Sequence, residues 1–483
     1  MATLTCVGDT PEARDGRRVG ECLLWESSLA SIAQVHPGWS LRVVVDVGYL
    51  SGGAYRCAAE FNPHILILTH SDLDHIGGAL AFLKATSLRG ATARLREVWL
   101  PYEWVLLQRA IEATNPTAAT SNASSGREFG SPFLQSEELL AAVHGHHEGM
   151  PLGQCEPLTF SASVLGDGRH RGVKVTSEHQ SATGDLATML TRQATEIATV
   201  IEGERNRSSV AGAPSWAEPR DSSQAAEDVI RKAKRLMGIL DQAHKLGVIV
   251  RTFSVDGIQV KPTWSYAGFG GALTIANAVE VEVSSTLRVS HVPEAILLLT
   301  RLTVQNRRAL MPFLWETCSG RLLKGPNRGQ APDEWVIAFE NGADSPNPWG
   351  VLVASDSAGE PAGVPSRRTL GGGRTVGKHK TAPVSGLPWS AVAAMTAPHH
   401  GSATQDYEPI WRELVQYMEA TGRPIPVVRV GGSPHQATAP TFLQLVSSLR
   451  GCTECRHLGK ARQRTVTISI TGGKAIIKPP CGR

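Results

Sequence analysis

The chain lacks the features that would place it in several specialised classes of protein. None of its apolar runs approaches the roughly 20 residues that a membrane-spanning helix needs, and its N-terminus lacks the charged-then-apolar pattern of a signal peptide. Eight cysteines are too few for a disulfide scaffold in 483 residues, so they fit a reducing compartment better. We therefore expect a cytoplasmic protein that does not act at a membrane.

The chain also has little excess charge and no glycine-rich nucleotide loop. Its 48 basic and 44 acidic residues leave a net charge of +4, so local clusters of basic residues matter more than the total. The run Gly268-Phe269-Gly270-Gly271 lacks both the preceding strand and the third glycine of a dinucleotide-binding motif. The composition is otherwise that of a globular protein, long enough for one elaborated domain or for two.

Strand-like and helix-like segments alternate along the chain, which predicts an α/β fold. Strands are predicted where residues are apolar or alternate in polarity, at 20–26, 41–48, 65–68, 97–101, 247–251, 279–283, 335–339, 349–354, 426–430 and 465–470. We expect the segments at 335–339 and 349–354 to pair as a hairpin. Helices are predicted from Gly77 onward and at 224–245, with Gly247 as the C-cap of the second.

Four potential metal ligands lie within a run of six residues. His70, Asp72, Asp74 and His75 follow the apolar segment Ile65-Leu66-Ile67-Leu68. We therefore expect them in the loop at the carboxyl end of a buried strand, where α/β folds commonly place their sites. Imidazole and carboxylate together suit zinc, and also manganese or iron. A solvated acidic turn is the alternative, but two His and two Asp rarely crowd one turn merely to hold its shape.

Three distant segments repeat this pattern of a strand followed by a polar ligand. Asp356 follows the strand predicted at 349–354, His399 and His400 follow an apolar run at 392–395, and His435 follows the strand predicted at 426–430. If these strand ends converge, they could supply a site for two metal ions about 3.5–4 Å apart, bridged by a carboxylate.

These motifs resemble those of a known family. The run from His70 to His75 is similar to the signature of the metallo-β-lactamase fold, in the variant in which Asp replaces the second His. Together with His399-His400-Gly401-Ser402, it resembles the hydrolase domain of ComEC-type DNA-uptake proteins and their soluble relatives. Further matching segments occur in the same order, namely Gly20-Glu21, Asp46-Val47-Gly48, Asp356 and Gly432-Ser433-Pro434-His435. The resemblance covers residues 16–103 and 247–475, and it implies a four-layer αββα sandwich.

The resemblance implies roles for individual residues. Two divalent metal ions, zinc or manganese, would be held by His70, Asp72, Asp74, His75, Asp356, His399, His400 and His435. Asp356 would bridge the two metals, and Asp74 would orient the attacking water or bind the second metal. One of His399 and His400 would bind metal, while the other would act as general acid or orient the scissile phosphate.

The chain departs from the family pattern at two places. Relatives carry a glycine before the bridging aspartate, where this chain has Ser355. They also carry an Asn or His ahead of the strand before that aspartate. Asn306 and Asp333 are rival candidates for this position, so the ligand count of the second metal stays open.

The composition changes near residue 105. Residues 113–132 and 203–223 are rich in Ser, Ala, Asn, Gly and Pro and show little periodic apolar signal. We therefore predict that residues 1–104 and 246–483 are two parts of one domain, and that 105–245 is an insertion, partly helical with flexible stretches. Its position shortly after the metal loop makes it a candidate lid, on which a protease or a regulatory protein would act. A surface decoration without function is the alternative.

The family's metal-activated hydroxide serves phosphodiesters, lactones, thioesters and β-lactams alike. A glycine-rich loop at 357–386 favours nucleic acid because its basic residues suit backbone phosphates. The alternative is a disordered surface loop that is basic by chance. The candidate substrate-binding residues are Arg367, Arg368, Arg374, Lys378, Lys380 and Ser402. We therefore predict a nuclease or phosphodiesterase with DNA as its substrate. The alternatives are a small-molecule hydrolase of lactonase or thioesterase type, and a nucleic-acid-binding or scaffolding protein with a degenerate site, against which the intact ligand run argues.

Overall fold

The structure is a computed structural model of the chain. It describes residues 2–28, 40–102, 104–105, 235–255, 273–281, 309–316, 319–324, 336–340, 349–357, 389–401, 408–431, 449–455 and 462–480. Within these residues, strands alternate with helices and form mixed sheets, as predicted for an α/β protein. The four-layer order of the sandwich stays a prediction.

The strands of the described residues are short and numerous. In chain order they are β1 Ala2–Cys6, β2 Leu23–Ser28, β3 Ser40–Val45, β4 Ile65–Ile67, β5 Glu97–Pro101, β6 Ile249–Ser254, β7 Leu273–Ile275, β8 Val279–Val281, β9 Pro312–Trp315, β10 Ser319–Lys324, β11 Val336–Glu340, β12 Gly350–Leu352, β13 Val392–Thr396, β14 Val427–Arg429, β15 Leu449–Cys452, β16 Glu454–Cys455, β17 Arg462–Gln463, β18 Val466–Thr471 and β19 Lys474–Lys478.

The helices lie between these strands. The α-helical segments of the described residues are Pro11–Arg14, Ala54–Phe61, Leu73–Ile76, Ala79–Leu88, 235–245 and Glu408–Thr421. Short 3-10 turns occur at Leu50–Gly52, Gly90–Thr92, Trp389–Ala391 and Pro398–Gly401. None of the helices in the described part of the chain is both long and apolar enough to cross a membrane.

The larger sheet has the strand order β19-β18-β1-β2-β3-β4-β5-β6-β8 among the described residues. Its centre is parallel, because β3, β4, β5 and β6 all pair in the same direction. The strands on either side of this centre pair antiparallel. Parallel strands are covered on both faces, which explains why the residues of β4 and β5 are buried without alternation.

The smaller sheet has the order β15-β14-β13-β12-β9-β7 within the described ranges. Strands β12 to β15 pair parallel, whereas β9 and β7 join this group antiparallel. The two sheets share one hydrophobic core: Trp25 and Val43 of the larger sheet belong to the same buried cluster as Phe313, Val351 and Met395 of the smaller one. This shared core fixes the carboxyl ends of β4, β12 and β13, from which the candidate ligands extend.

Most strand predictions are confirmed within a few residues, and so is the helix that ends before Gly247. Its described part covers residues 235–245, and Gly247 has the positive φ of 66° that is common just beyond a helix end. The predicted hairpin of 335–339 and 349–354 is wrong. β11 pairs with β10, while β12 lies between β9 and β13. Both edges of β12 are therefore occupied, and neither is left for β11. The strands that were not predicted are β1, β7, β9, β10, β15, β16, β17 and β19.

The chain divides into two compact units. One comprises Met1–Pro101, Asp241–Glu282 and Asn306–Arg483, and it contains both sheets; the other comprises Tyr102–Leu240 and Val283–Gln305. Of the second unit, the structure describes residues 102, 104–105 and 235–240, the last of which are helical. The predicted domain boundaries at 104/105 and 245/246, and the role of the insertion between them, stay predictions.

Candidate metal centre

The candidate ligands lie at the carboxyl ends of three strands, β4 of the larger sheet and β12 and β13 of the smaller one. The run from His70 to His75 follows β4, and Asp72 occupies the N-cap position of the short helix Leu73–Ile76. Asp356 follows β12, and His399 and His400 follow its parallel neighbour β13. Since β12 and β13 are parallel neighbours, their carboxyl ends lie side by side. The two sheets share one core, and the loop after β4 meets these ends, so residues almost 300 positions apart come together here.

Asp356 lies at the centre of the group. Its Oδ2 atom lies 3.4 Å from Nε2 of His70 and 3.7 Å from Nε2 of His399. Its Oδ1 atom lies 3.5 Å from Nε2 of His75 and 3.8 Å from Nε2 of His400. Each carboxylate oxygen therefore faces two imidazoles, which is the geometry expected of a carboxylate shared between two cations.

The remaining aspartates divide between the two sides of Asp356. Oδ2 of Asp72 lies 4.0 Å from Nε2 of His70, whereas Oδ2 of Asp74 lies 3.2 Å from Nε2 of His400. We call His70, Asp72 and His399 the His70 set, and Asp74, His75 and His400 the His75 set. The donor atoms of Asp74, His75 and His400 lie within 4.8 Å of one another, as do those of His70, Asp72 and Asp356.

These donors fit divalent metal ions. The Nε2 atoms of His70 and His75 are buried and have no hydrogen-bond partner among the described residues. Nδ1 of His75 lies 2.8 Å from Oδ2 of Asp46, and Nδ1 of His400 lies 2.6 Å from the carbonyl oxygen of Val430. When Nδ1–H donates to an oxygen, Nε2 keeps its lone pair, which is how metal-binding histidines are usually oriented.

The electrostatics of the group also favour a cation. Burial raises the pKa of Asp356, but the nearby imidazoles of His399, His75 and His70 outweigh this effect. The pKa of Asp356 therefore lies well below its usual value. Burial lowers the pKa of His75, but Asp356 and Asp74 outweigh this effect and hold that pKa well above its usual value. The carboxylates that stabilise a positive imidazolium here would also stabilise a divalent cation.

A hydrogen-bonded network around Thr69 supports the loop that carries His70 to His75. Asp46 accepts hydrogen bonds from the backbone N–H of Thr69 (2.9 Å) and from its hydroxyl (2.6 Å). The same hydroxyl lies 3.1 Å from Nδ1 of His70 and 2.8 Å from the hydroxyl of Ser355. Asp46, His70 and His75 also have donor atoms within 4.8 Å of one another. Because Asp46 contacts Nδ1 of His75 through a hydrogen bond, we assign it the role of orienting that imidazole.

Four non-glycine residues of this region have left-handed backbone conformations. The φ values are 54° for Asp46, 47° for Ser355, 44° for His399 and 55° for His400. Such conformations are unfavourable for residues with a Cβ and often occur at functional sites. They explain why a glycine would suit the position before Asp356. Ser355 has the left-handed conformation that glycine adopts freely, and its hydroxyl contacts Thr69.

Glu21 is a further acidic residue at the centre that the sequence analysis did not assign. Its side chain is buried, and Oε2 lies 3.8 Å from Nδ1 of His400. The backbone N–H of Glu21 donates to the carbonyl oxygen of Asp74 at 2.7 Å, and a Cβ on Gly20 would overlap that same oxygen. Burial raises the pKa of Glu21 to about 7. Its place beside a glycine in the first-strand motif was the signal that could have identified it.

Several predicted residues lie outside the described part of the chain. They are the metal ligand candidate His435, the rival candidates Asn306 and Asp333, and the substrate-binding candidates Arg367, Arg368, Arg374, Lys378, Lys380 and Ser402. Of the predicted ligands, the structure brings together His70, Asp72, Asp74, His75, Asp356, His399 and His400.

Comparison with known proteins supports the same chemistry. Residues 42–196 match the family model of the metallo-beta-lactamase superfamily. The matched range contains Asp46 and the run from His70 to His75, whereas Asp356, His399 and His400 lie beyond it. No curated protein matches the chain. Members of the superfamily are mostly metal-dependent hydrolases that bind divalent metals, so the match and the donor geometry together indicate a metal-dependent hydrolase.

Proposed function

We propose that the protein is a two-metal phosphodiesterase that cleaves DNA. The observation that carries the proposal is the position of Asp356, whose two carboxylate oxygens face different donor sets at 3.4–3.8 Å. When bound, two divalent ions would activate a water molecule and offset the charge that develops on a phosphoryl group. The His70 and His75 sets would hold one ion each, with zinc or manganese as the metal.

The residues around the metals would then differ in their tasks. His400 is almost fully buried and its Nδ1 contacts a carbonyl oxygen, so we assign it to metal binding. The side chain of His399 is 21% exposed, which leaves it room to contact a substrate phosphate or the leaving group as well as the metal. Oδ2 of Asp74 lies 3.2 Å from Nε2 of His400, and the Asp74 side chain is 25% exposed, so it would help to hold the attacking water.

DNA is the substrate that the sequence around the site supports. The segment that follows Ser357 carries the basic residues Arg367, Arg368, Arg374, Lys378 and Lys380. It begins two residues after Asp356 in the sequence. Non-specific contacts of basic side chains with backbone phosphates would bind DNA without reading its bases. The resemblance to ComEC-type hydrolase domains supports the same choice.

A second candidate is a hydrolase of lactones or thioesters. The observation that favours it is a pair of exposed leucines beside the first loop: Leu50 is 55% exposed and Leu73 is 48% exposed. A Cβ on Gly77 would meet both the carbonyl oxygen of Leu73 and the backbone nitrogen of Leu50, so the two leucines are neighbours. Next to Asp74, they would suit the acyl chain of an uncharged substrate.

The test is cleavage of linear and circular DNA by purified protein with Mn²⁺ or Zn²⁺. A variant with His70→Ala and Asp72→Ala removes two proposed ligands, and Asp9→Asn removes an exposed carboxylate that pairs with Arg14. We expect cleavage by the wild type and by Asp9→Asn, and none by the double variant. Hydrolysis of lactones or thioesters without DNA cleavage would favour the second candidate.

The insertion at 105–245 is proposed to regulate access of DNA to the metals. The DNA assay is therefore run before and after mild proteolysis. Faster cleavage after proteolysis would support a lid, and unchanged cleavage would show that the insertion does not limit access.

A further inference from the structure

Two serines flank Asp356, and both hydroxyls are held by side chains that belong to neither donor set. The Ser355 hydroxyl lies 2.8 Å from the hydroxyl of Thr69. The Ser357 hydroxyl accepts a hydrogen bond from Nδ2 of Asn277 at 3.1 Å. All four of these side chains are buried. Asp356 is therefore anchored on both sides, to Thr69 at the start of the first ligand loop and to Asn277.

Asn277 lies in the turn between an edge strand of each sheet. Among the described residues, it follows β7 of the smaller sheet and precedes β8 of the larger one. Its Nδ2 also donates to the carbonyl oxygen of Ala309 at 2.8 Å, and its Oδ1 accepts from the backbone N–H of Met311 at 2.8 Å. A reversed amide would place Oδ1 against the Ala309 carbonyl, so these contacts fix the orientation of the side chain.

The segment 309–311 completes a closed ring of hydrogen bonds with the chain at Asp356. Within this segment, the backbone N–H of Leu310 donates to the carbonyl oxygen of Thr69 at 3.0 Å. Thr69 is thereby connected to Asn277, whose amide binds the same segment. The closed set, which we call the Asn277 ring, comprises Thr69, Asn277, Ala309, Leu310, Met311, Ser355 and Ser357.

The Asn277 ring joins two strand ends that belong to different sheets. Asp356 follows β12 of the smaller sheet, whereas Thr69 and His70 follow β4 of the larger one. Among the described strands, β12 and β4 share no backbone ladder. The common apolar core holds the sheets together, but apolar packing is not directional. We therefore attribute the 3.4 Å approach of Asp356 to His70 to the directional contacts of the ring.

We propose that Asn277 is a positioning residue that holds the Asp356 carboxylate between the two donor sets through its hydrogen bond to Ser357. The proposal rests on the two-metal centre of the proposed function. Because each oxygen of Asp356 faces two imidazoles, a small shift of this residue would lengthen contacts in both sets. The sequence analysis missed Asn277 because an asparagine between two strands is an ordinary turn residue.

The first experiment measures the affinity for Zn²⁺ or Mn²⁺ by competition with a chelator, in the absence of substrate. Ser357→Ala removes the hydroxyl that accepts from Asn277, and Asn277→Ala removes the whole amide. Loss of a residue that orients a ligand lowers metal affinity by about 10–100-fold. We expect the affinity for both ions to fall by about tenfold in Ser357→Ala and by more in Asn277→Ala, because Asp356 faces both sets.

Ser27→Ala is the matched control for the loss of a buried serine hydroxyl. The Ser27 hydroxyl donates to the carbonyl oxygen of Glu316 at 2.9 Å and likewise joins the two sheets. Ser27 pairs with Leu41, near the end of β3 opposite to the one that Asp46 follows. Denaturant unfolding of the metal-free proteins should show similar losses of stability for Ser27→Ala and Ser357→Ala. Only Ser357→Ala should lose metal affinity.

A double variant tests whether the two serines hold Asp356 together. Each single variant keeps one of the two anchors, so Ser355→Ala combined with Ser357→Ala should lower metal affinity by more than the product of the two single losses. The same chelator competition measures this effect. A loss equal to the product would show that the two anchors act independently, and it would contradict the closed ring.

The outcomes separate the positioning role from the proposed function. The positioning role is wrong if Ser357→Ala keeps wild-type affinity, or if Ser27→Ala loses as much affinity as Ser357→Ala. DNA cleavage by the wild type would then still support the phosphodiesterase. If the wild type binds two ions but cleaves no phosphodiester, while Ser357→Ala loses affinity and Ser27→Ala does not, the proposed function fails and the positioning role stands.

Discussion

The His70 set and the His75 set share Asp356 but hold their histidines differently. In the His75 set, Nδ1 of His75 contacts a carboxylate at 2.8 Å and Nδ1 of His400 contacts a carbonyl oxygen at 2.6 Å. In the His70 set, Nδ1 of His70 lies 3.1 Å from a hydroxyl. The side chain of His399 is also more exposed than that of His400, at 21% against 2%.

The difference predicts that the two sets differ in metal affinity and in contact with the substrate. Histidines whose second nitrogen is anchored to a charged or carbonyl oxygen lose little freedom when they bind metal, so the His75 set should bind its ion more tightly. The more open His70 set should exchange its ion faster and contact the substrate. The predictions below test this difference, beginning with the change expected to abolish both sites.

Asp356→Asn should have the largest effect because Asp356 faces both sets. The substitution keeps the shape of the side chain and removes the shared negative charge. We expect metal content to fall from about two ions per chain to less than one, and hydrolysis to fall by at least about a hundredfold. Metal analysis after gel filtration and a hydrolysis assay measure these effects. Retention of both ions would show that Asp356 does not bridge them.

His400→Ala and His399→Ala should separate the two sets. We expect His400→Ala to lose the tightly held ion, and His399→Ala to keep it while binding the other more weakly. Titration with a competing chelator would resolve the two affinities. The predicted difference in affinity would be wrong if His399→Ala lost the tighter ion and His400→Ala did not.

Asp46→Asn should weaken metal binding by the His75 set without removing a proposed ligand. The change removes the carboxylate that holds Nδ1 of His75 and that accepts from Thr69. Loss of such an outer partner typically lowers metal affinity by about 10–100-fold. Chelator competition measures the change, and Asp9→Asn serves as a surface control. An unchanged affinity for the tighter ion would contradict the orienting role of Asp46.

Substitutions at Ser355 should have the smallest effect, and they separate backbone strain from hydrogen bonding. Ser355→Ala loses the contact with Thr69 and keeps the left-handed conformation, so it should destabilise the fold by about 1 kcal/mol. Ser355→Gly loses the same contact but relieves the strain, so it should be more stable than Ser355→Ala by about 1 kcal/mol. Denaturant unfolding of the two variants measures this difference. Equal stabilities would show that the positive φ carries no cost.

The class of fold and the first ligand loop could be predicted because their signals are local. Apolar segments such as 65–68 and 97–101 marked buried strands, and four polar residues after the first of them marked a site. The pairing of strands was less accessible. β11 and β12 are both apolar and close in sequence, yet they belong to different sheets, because the partners of a strand depend on edges supplied by distant segments.

The candidate site likewise has features that local sequence patterns predicted and features that depend on long-range structure. Strand-end position alone suggested that Asp356, His399 and His400 could join the first loop. In the structure, the histidines of the first loop and His399 and His400 surround the Asp356 carboxylate. The sequence pattern could not show that both His399 and His400 face Asp356, because this depends on consecutive left-handed conformations at these two residues. The support from Glu21 and Thr69 was missed because buried acids and hydroxyls resemble ordinary core or turn residues when seen one at a time.

The spacing of two His and two Asp within one loop, followed by distant ligands after apolar strands, was enough to predict a metal centre in an α/β fold, and the resemblance to the metallo-β-lactamase fold implied a hydrolase. Which atoms meet depends on the tertiary structure. Backbone hydrogen bonds between distant segments placed Glu21 beside Asp74 and Gly48 beside His75, and the parallel pairing of β12 with β13 brought Asp356 to His399 and His400. Local patterns fix residue types, whereas long-range pairing and left-handed backbone positions set the distances on which catalysis depends.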